Sequence, residues 1–229
     1  MELKYTDIGY LYISPEDDCN AIVDAMLATG YNEEFCIADD FSHEFIAKLM
    51  EAGFLVMSVR VVDEVYFLLP KLHIIRSALF FENLHIKRSI RRLLSRYELK
   101  ANVEIDHIID RCIEKHGNDW LTPPLVDCIK NLHKVDGTTA QKASFGLYRD
   151  GKLVAGEFGI VCGKVYTSYS GYYDEPNAGT VQIILAAKWL EEQGFLFFDL
   201  GMPLPYKNDL GAVDISPGEF VALFRSACL

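Results

Sequence analysis

Four groups of residues carry side chains able to do chemistry. Asp199 closes the apolar run Phe195-Leu196-Phe197-Phe198. A carboxylate at the C-terminal end of a buried strand is a frequent place for chemistry, and burial among phenylalanines raises its pKa unless hydrogen bonds hold it charged. The competing reading is an Asp that shapes the turn before Gly201. Lys87, Arg88, Arg91, Arg92 and Arg96 set five cations within ten positions. On one helix they form a strip for phosphates, each cation releasing a counterion from an RNA backbone, or else an ordinary solvated face. Tyr166, Tyr169, Tyr172 and Tyr173, interleaved with Ser168 and Ser170, either line a ligand pocket or pack as a strand with exposed rings. Trp120 follows Gly117-Asn118-Asp119, where a loop tryptophan stacks on a ligand such as a nucleobase or plugs a core. Trp189, among Ile184, Leu185 and Leu190, reads as core.

Other chemistries find no support. The six cysteines and six histidines have neither metal-ligand nor triad spacing, so no metal is expected, and His85 and His133 read as capping or packing residues. No GxGxxG or GxxxxGK[ST] joins a strand to a helix, and no bound cofactor is expected.

The elements that must position these groups follow from periodicity. Ser14 with Pro15, Glu16, Asp17 and Asp18 predicts a helix start, Ala21, Ile22, Ala25 and Met26 its apolar face and Gly30 its end. A second helix runs from Ser42 to Gly53, and two apolar runs around Asp63-Glu64 read as a hairpin ended by Pro70. Residues 85–99 form a helix with the stripe Ile86, Ile90, Leu93 and Leu94; residues 105–116 and 124–133 form two more. Asp150-Gly151 is a two-residue hairpin turn, followed by a strand from Lys164, a helix over 180–193 and the strand ending at Asp199. The tail holds one short helix. This is a mixed α/β order around a central sheet.

Composition sets the outer limits. The chain has 229 residues, half of them apolar, with only eight prolines, enough for a sizeable core and too apolar for disorder. Scattered cysteines read as free buried thiols in a reducing compartment. The start lacks a basic n-region and an apolar h-region, and no apolar run is long enough to cross a membrane, so a cytoplasmic protein is expected. The 22 basic against 33 acidic residues give a net charge of −11. Such a surface repels nucleic acid as a whole, so contact with RNA must come from the local patch at 87–96.

Several blocks in order carry a resemblance. They are Phe80-Phe81-Glu82-Asn83-Leu84-His85-Ile86-Lys87-Arg88-Ser89; Asp119-Trp120-Leu121-Thr122 with Leu132-His133; Asp150-Gly151-Lys152-Leu153-Val154-Ala155-Gly156 with Phe158-Gly159 and Gly163; and Phe198-Asp199 with Leu210-Gly211-Ala212 and Ile215. From about Gly53 to Phe220 the chain resembles the leucyl/phenylalanyl-tRNA–protein transferases. The resemblance implies a small N-terminal α/β domain over 1–72. A GCN5-related N-acetyltransferase-like (GNAT) domain with a central mixed sheet follows over 73–229. It implies transfer of leucine or phenylalanine from aminoacyl-tRNA to the N-terminus of a protein or peptide, marking it for degradation, with the aminoacyl-tRNA in the place of a cofactor. Carried over by position, Lys87, Arg88, Arg91, Arg92 and Arg96 hold the acceptor stem, Trp120 lies near the tRNA 3′ end and Asp199 is the active-site acid. Arg76, His85, Arg88 and Ser89 match a structural, basic block. The donor side-chain pocket is formed by Glu157, Tyr166, Ile183, Ala186 and Phe198, with Tyr172 in the same substrate site.

The departures from the family pattern are specific. Its Gly-Glu-Ser-Met-Phe-Ser motif reads Ser168-Tyr169-Ser170-Gly171-Tyr172-Tyr173 here, so the glutamate that holds the acceptor amine is Tyr169. The glutamine after the acid is Gly201, a tryptophan of the N-terminal region is Met57, and a methionine of the side-chain pocket is Glu157. Losing one such hydrogen-bonding group costs on the order of 10²–10³ in rate, so Tyr169, Ser170 or Asp199 must substitute. A charge at Glu157 suits a cationic or polar ligand group better than leucine. Altered substrates are therefore expected. Two rivals stay open: an acyltransferase of the same fold with another donor or acceptor, and a non-catalytic tRNA- or peptide-binding derivative. Coenzyme A is disfavoured as donor, because Asp174-Glu175-Pro176-Asn177-Ala178-Gly179 is acidic and lacks a glycine-rich turn.

Overall fold

In the computed structural model, which describes residues 3–31 and 33–228, the elements follow the sequence periods with a few displacements. Lys4–Tyr5 (β1) and Leu11–Tyr12 (β2) pair antiparallel. The first helix, Cys19–Thr29 (α1), begins four residues beyond the expected start. Asp18 caps it, accepting the N–H groups of Asn20 and Ala21 at 3.0 and 3.1 Å. Asp17 folds back on Ser14 instead, accepting its N–H at 2.8 Å, so Ser14 belongs to a turn. His43–Glu51 (α2) starts after Ser42 as expected. Leu55–Val62 (β3) and Val65–Lys71 (β4) form the hairpin. Pro70 lies inside β4 rather than ending it; its carbonyl accepts the Cys36 N–H, which asks nothing of the missing proline N–H. Arg76–Leu79 (β5) follows.

The expected helix over 85–99 does not form. It breaks into a single turn, Arg88–Arg91 (α3), a 3-10 turn at Leu94–Arg96, and a strand, Glu98–Ala101 (β6). Lys87 is extended and caps nothing, and a helix this short has little stability of its own in water. Ile90 is buried and Leu93 and Leu94 are half-buried, while residues 98–101 gain a ladder along the central sheet. Tertiary burial and pairing thus override the helical period. Ile105–His116 (α4) and Pro123–Asn131 (α5) form close to expectation.

Gln141–Arg149 (β7) and Lys152–Cys162 (β8) flank Asp150-Gly151, both at positive φ (51° and 76°). That is the conformation of a twisted two-residue turn, which Gly adopts without strain. Val165–Tyr173 (β9), Ala178–Glu192 (α6) and Phe197–Asp199 (β10) complete the centre. The tail departs from the expectation of one short helix: it contains Pro205–Asp209 (α7), Val213–Ile215 (β11) and the twelve-residue Pro217–Cys228 (α8).

The seven-stranded sheet has the order β11-β5-β10-β9-β8-β7-β6, antiparallel except for β9 against β10. Two features open its middle. Pairing of β10 with β9 ends at Asp199 and Thr167, whereas β9 runs on to Tyr173. Tyr169 has no partner on β8, because Phe158 faces Ser170 and Gly159 faces Ser168; such a bulge re-aims side chains. Gly159 lies in this close approach: a Cβ there would stand 2.1 Å from the Thr167 carbonyl oxygen.

Alternation along the strands divides the interior into two cores. Phe158, Ile160, Cys162, Val165 and Phe197 face one core, built also from α1, α2, α4, α5 and α8, and drawing on residues from both sides of position 72. Phe145, Leu147, Ala155, Tyr166 and Phe198 face the other, under α6 and the segment around Ile90. All six cysteines are free, and Cys19, Cys36, Cys112, Cys128 and Cys162 are buried. No helix of the described residues is long and apolar enough to cross a membrane.

Candidate functional site

Asp199 is fully buried, and a buried arginine that faces it decides its state. Arg76 Nε donates to Oδ1 at 2.9 Å and an Nη donates to Oδ2, a two-pronged pair. The Gly201 N–H reaches Oδ1 and the Thr167 hydroxyl reaches Oδ2, each at 2.9 Å. Burial alone raises such a carboxyl, but the Arg76 charge and these hydrogen bonds hold it below the ordinary carboxylate range. Four donors use the lone-pair sites of both oxygens, so Asp199 has none left for a substrate amine. Arg76 also lies 4.1 Å from the centre of the Phe220 ring and donates to His73 Nδ1 at 3.2 Å. Burial and then the Arg76 charge push His73 down to about 3, so it is neutral and able to accept. The node ties β5, β9 and β10 together where β9 and β10 part. A cavity of about 10 Å³, room for one water, lies beside Arg76, Thr167 and Tyr169. Tyr169 Oη accepts the Val56 N–H at 3.1 Å, which leaves its own proton free.

The residues expected to form the donor side-chain pocket lie together on the other face, as buried core. Tyr166, Ile183, Ala186 and Phe198 belong to the core under α6, with the Tyr166 ring 5.1 Å from Phe145 and 5.2 Å from Phe198. Glu157, one position from Phe158, points to this face and is 3% exposed. Its surroundings are Ser168, Tyr166 and Gln182, with the Lys207 charge nearby. Burial pushes its carboxyl up to about 7, against the opposing pull of those groups. Glu157 Oε1, Tyr166 Oη and Gln182 Nε2 are all buried without a hydrogen-bond partner. Lys207, itself buried, donates to the Leu200 and Met202 carbonyls and feels both Asp199 and Glu157.

The basic residues lie on this second face as well. Ile86, Arg88, Arg91 and Arg92 line an open groove of about 410 Å³. Arg88, Arg91, Arg92 and Arg96 are exposed, and none of them forms a salt bridge among the described residues. Lys87 is different, because Asp209 pairs with it.

The remaining expected site residues fall elsewhere. Trp120 is half-buried against the first core, where its carbonyl accepts the Ser58 N–H at 2.9 Å. The groove belongs to the other core, so the two are not brought together. Ser170 points towards Cys112 on α4, and the buried Tyr172 lies under Arg111, whose guanidinium carbon is 4.8 Å from the ring centre. Asp199 and Glu157 likewise occupy opposite faces, with Lys207 between them in charge. Arg76 was legible only as part of a basic block; Gln182 and Lys207 were not singled out. Gln182 had a signal, being the one polar side chain in the apolar run 181–187.

Known proteins show the same pattern of similarity. The sequence model of one family, leucyl/phenylalanyl-tRNA protein transferase, matches residues 78–225. A leucyl/phenylalanyl-tRNA–protein transferase of Maridesulfovibrio salexigens is 26% identical over 158 residues, covering 66% of this chain and 65% of its own. One of Pseudomonas putida is 29% identical over 150 residues, covering 63% and 65%. The chain thus matches 65% of the length of these curated relatives. Among solved structures, L-PGS from Bacillus licheniformis aligns with a TM-score of 0.47 at 12% identity, over 98% of this chain and 88% of that one. FemX aligns with a TM-score of 0.46 at 12% identity, over 94% and 80%.

Proposed function

The chain belongs to the leucyl/phenylalanyl-tRNA protein transferase family, and on that premise we propose that it moves an amino acid from an aminoacyl-tRNA to the N-terminal amine of a protein or peptide. In this reading the step feeds the N-degron route of protein degradation in the cytoplasm. The fold is read as a small N-terminal α/β domain, 1–72, joined to a GNAT-like acyltransferase domain, 73–229. The observation that carries the reading is the family match, which spans the open sheet, the basic groove and the core residues under α6.

The chemistry asks for positioning more than for activation. The uncharged amine attacks the ester carbonyl, a C–N bond forms, the C–O bond to the 3′-ribose breaks and the amine proton ends on the ribose oxygen. A site helps by holding the reactants in line and by offering hydrogen bonds to the developing oxyanion. Arg88, Arg91, Arg92 and Arg96 take acceptor-stem phosphates. The donor side chain enters the pocket of Glu157, Tyr166, Ile183, Ala186 and Phe198 on the same face. Beyond Thr167, β9 has no strand on its β10 side, and this stretch carries the Ser168, Tyr169 and Ser170 hydroxyls. Asp199 is a positioning residue that fixes Arg76, Thr167 and the Gly201 turn. The test is to incubate the purified protein with separately charged tRNAs and peptides starting with Arg or Lys. Lengthening of the peptide by one residue is expected, and no lengthening from any charged tRNA overturns the reading.

A further inference from the structure

Three buried polar atoms in one place lack partners: Glu157 Oε1, Tyr166 Oη and Gln182 Nε2. Each side chain is at most 3% exposed, and Glu157 lies within reach of Tyr166, Gln182 and Ser168. Buried polar groups are ordinarily paired, and a cluster of those that are not calls for an explanation, of which a polar occupant is one. The nearest cation, Lys207, already donates to two backbone carbonyls. The walls are otherwise apolar and aromatic: Ile183, Ala186 and Phe198.

We propose that this pocket binds a primary ammonium at the end of a donor side chain, so that the amino acid transferred is lysine-like rather than leucine or phenylalanine. The inference rests on the aminoacyl-transfer reading and names its substrate class. An ammonium brings three donors and one positive charge. Glu157 Oε1 and Tyr166 Oη accept two of them. The Gln182 amide, whose oxygen and nitrogen exchange places by a half-turn, accepts the third. A leucine side chain leaves all three groups unpaired, and a guanidinium brings five donors to three acceptors. Gly171 lies opposite Glu157 and sets no side chain against its stem: a Cβ there would lie 3.2 Å from the Gly156 carbonyl oxygen and 3.5 Å from the Glu157 Cβ. Tyr206, half-exposed, lies near enough to feel the Glu157 charge. The arginine groove lies on the same face, so a donor held there presents its amino acid to this side of the sheet.

Two measurements test this with the full chain. The first compares lysyl-, leucyl- and phenylalanyl-tRNA as donors to one Arg-starting peptide. Lysyl transfer is expected to exceed the others in kcat/KM by tenfold or more, and Glu157→Met to shift the preference towards leucyl by about tenfold or more. Preference of the wild-type protein for leucyl or phenylalanyl donor, or an unchanged preference in Glu157→Met, overturns the proposal. The second needs no turnover: calorimetric binding of lysinamide against norleucine amide, which has the same chain length without the ammonium. Lysinamide is expected to bind at least about tenfold tighter, to lose that margin in Glu157→Gln, and to bind about tenfold more weakly at pH 5.5 than at pH 8, because the protonated carboxyl no longer attracts it. Equal affinity for the two amides, or a flat pH response, overturns the proposal. Lysinamide selectivity without transfer from any charged tRNA would refute the aminoacyl-transfer reading and leave the pocket chemistry standing.

Discussion

Salt should govern tRNA binding to this acidic protein in a way that counts its free arginines. Four of the five clustered cations, Arg88, Arg91, Arg92 and Arg96, are exposed and unpaired among the described residues, while Lys87 is held by Asp209. Each cation that meets a duplex phosphate releases about 0.9 counterion, so four give a slope of log K against log salt of about −3.6. Raising KCl fourfold, from about 50 to about 200 mM, should then weaken binding roughly 150-fold. Replacing Arg91 and Arg92 by alanine halves the slope to about −1.8 and the loss to roughly twelvefold. Lys87→Ala should leave the slope nearly unchanged, whereas Asp209→Ala frees Lys87 and steepens it by about 0.9. Fluorescence anisotropy with labelled, uncharged tRNA reads all four numbers. The net charge of −11 lowers affinity throughout but leaves the differences between variants intact. A slope shallower than about −1, or one that the double alanine variant does not change, would refute the groove as a phosphate site.

Two further perturbations address the buried groups. Asp199→Asn leaves Arg76 buried without its counter-charge and should cost about 3–5 kcal/mol in urea unfolding, while the double replacement Arg76→Met/Asp199→Leu should cost much less. A cost below about 1 kcal/mol for the single variant would mean that the pair does not clasp β5, β9 and β10. Glu157 should destabilise the fold as pH rises. Its folded pKa of about 7 lies above the unfolded value, so the folded state binds the extra proton and the contribution is lost between about pH 4.5 and pH 7. Asp199 acts in the opposite sense: its depressed pKa stabilises the fold above the ordinary carboxylate range, and that is lost as pH falls through its folded value. Subtracting the Glu157→Gln stability curve from that of wild type isolates Glu157. The difference should move against wild type by about 3 kcal/mol across that window, and parallel curves would contradict the buried carboxyl with its unpaired Oε1.

The parts of the fold that were legible are those in which local pattern and tertiary packing agree. Asp150-Gly151 specified its hairpin because the turn and the flanking strands ask for the same residues. Ile105–His116 kept its helical stripe because Ile108, Ile109 and Cys112 meet one core. Residues 85–99 misled because the same stripe is buried in pieces, and its last residues gain more from pairing with β7 than from a further helical turn. Asp199 was found as the carboxylate at a strand end. Its condition could not be read, because Arg76 lies 123 positions away and only the β5–β10 pairing brings the two together. Glu157 was placed in a pocket by its position within the resembling blocks. That Gln182 and Tyr166 share its lack of partners required the packing of α6 over β8 and β9.

The most direct test of the account is tandem mass spectrometry of an Arg-starting peptide after incubation with the protein and a panel of charged tRNAs. The account expects one added residue, located at the peptide's N-terminus, dependent on the charged tRNA and largest with lysyl-tRNA. An unchanged peptide mass with every charged tRNA would contradict it.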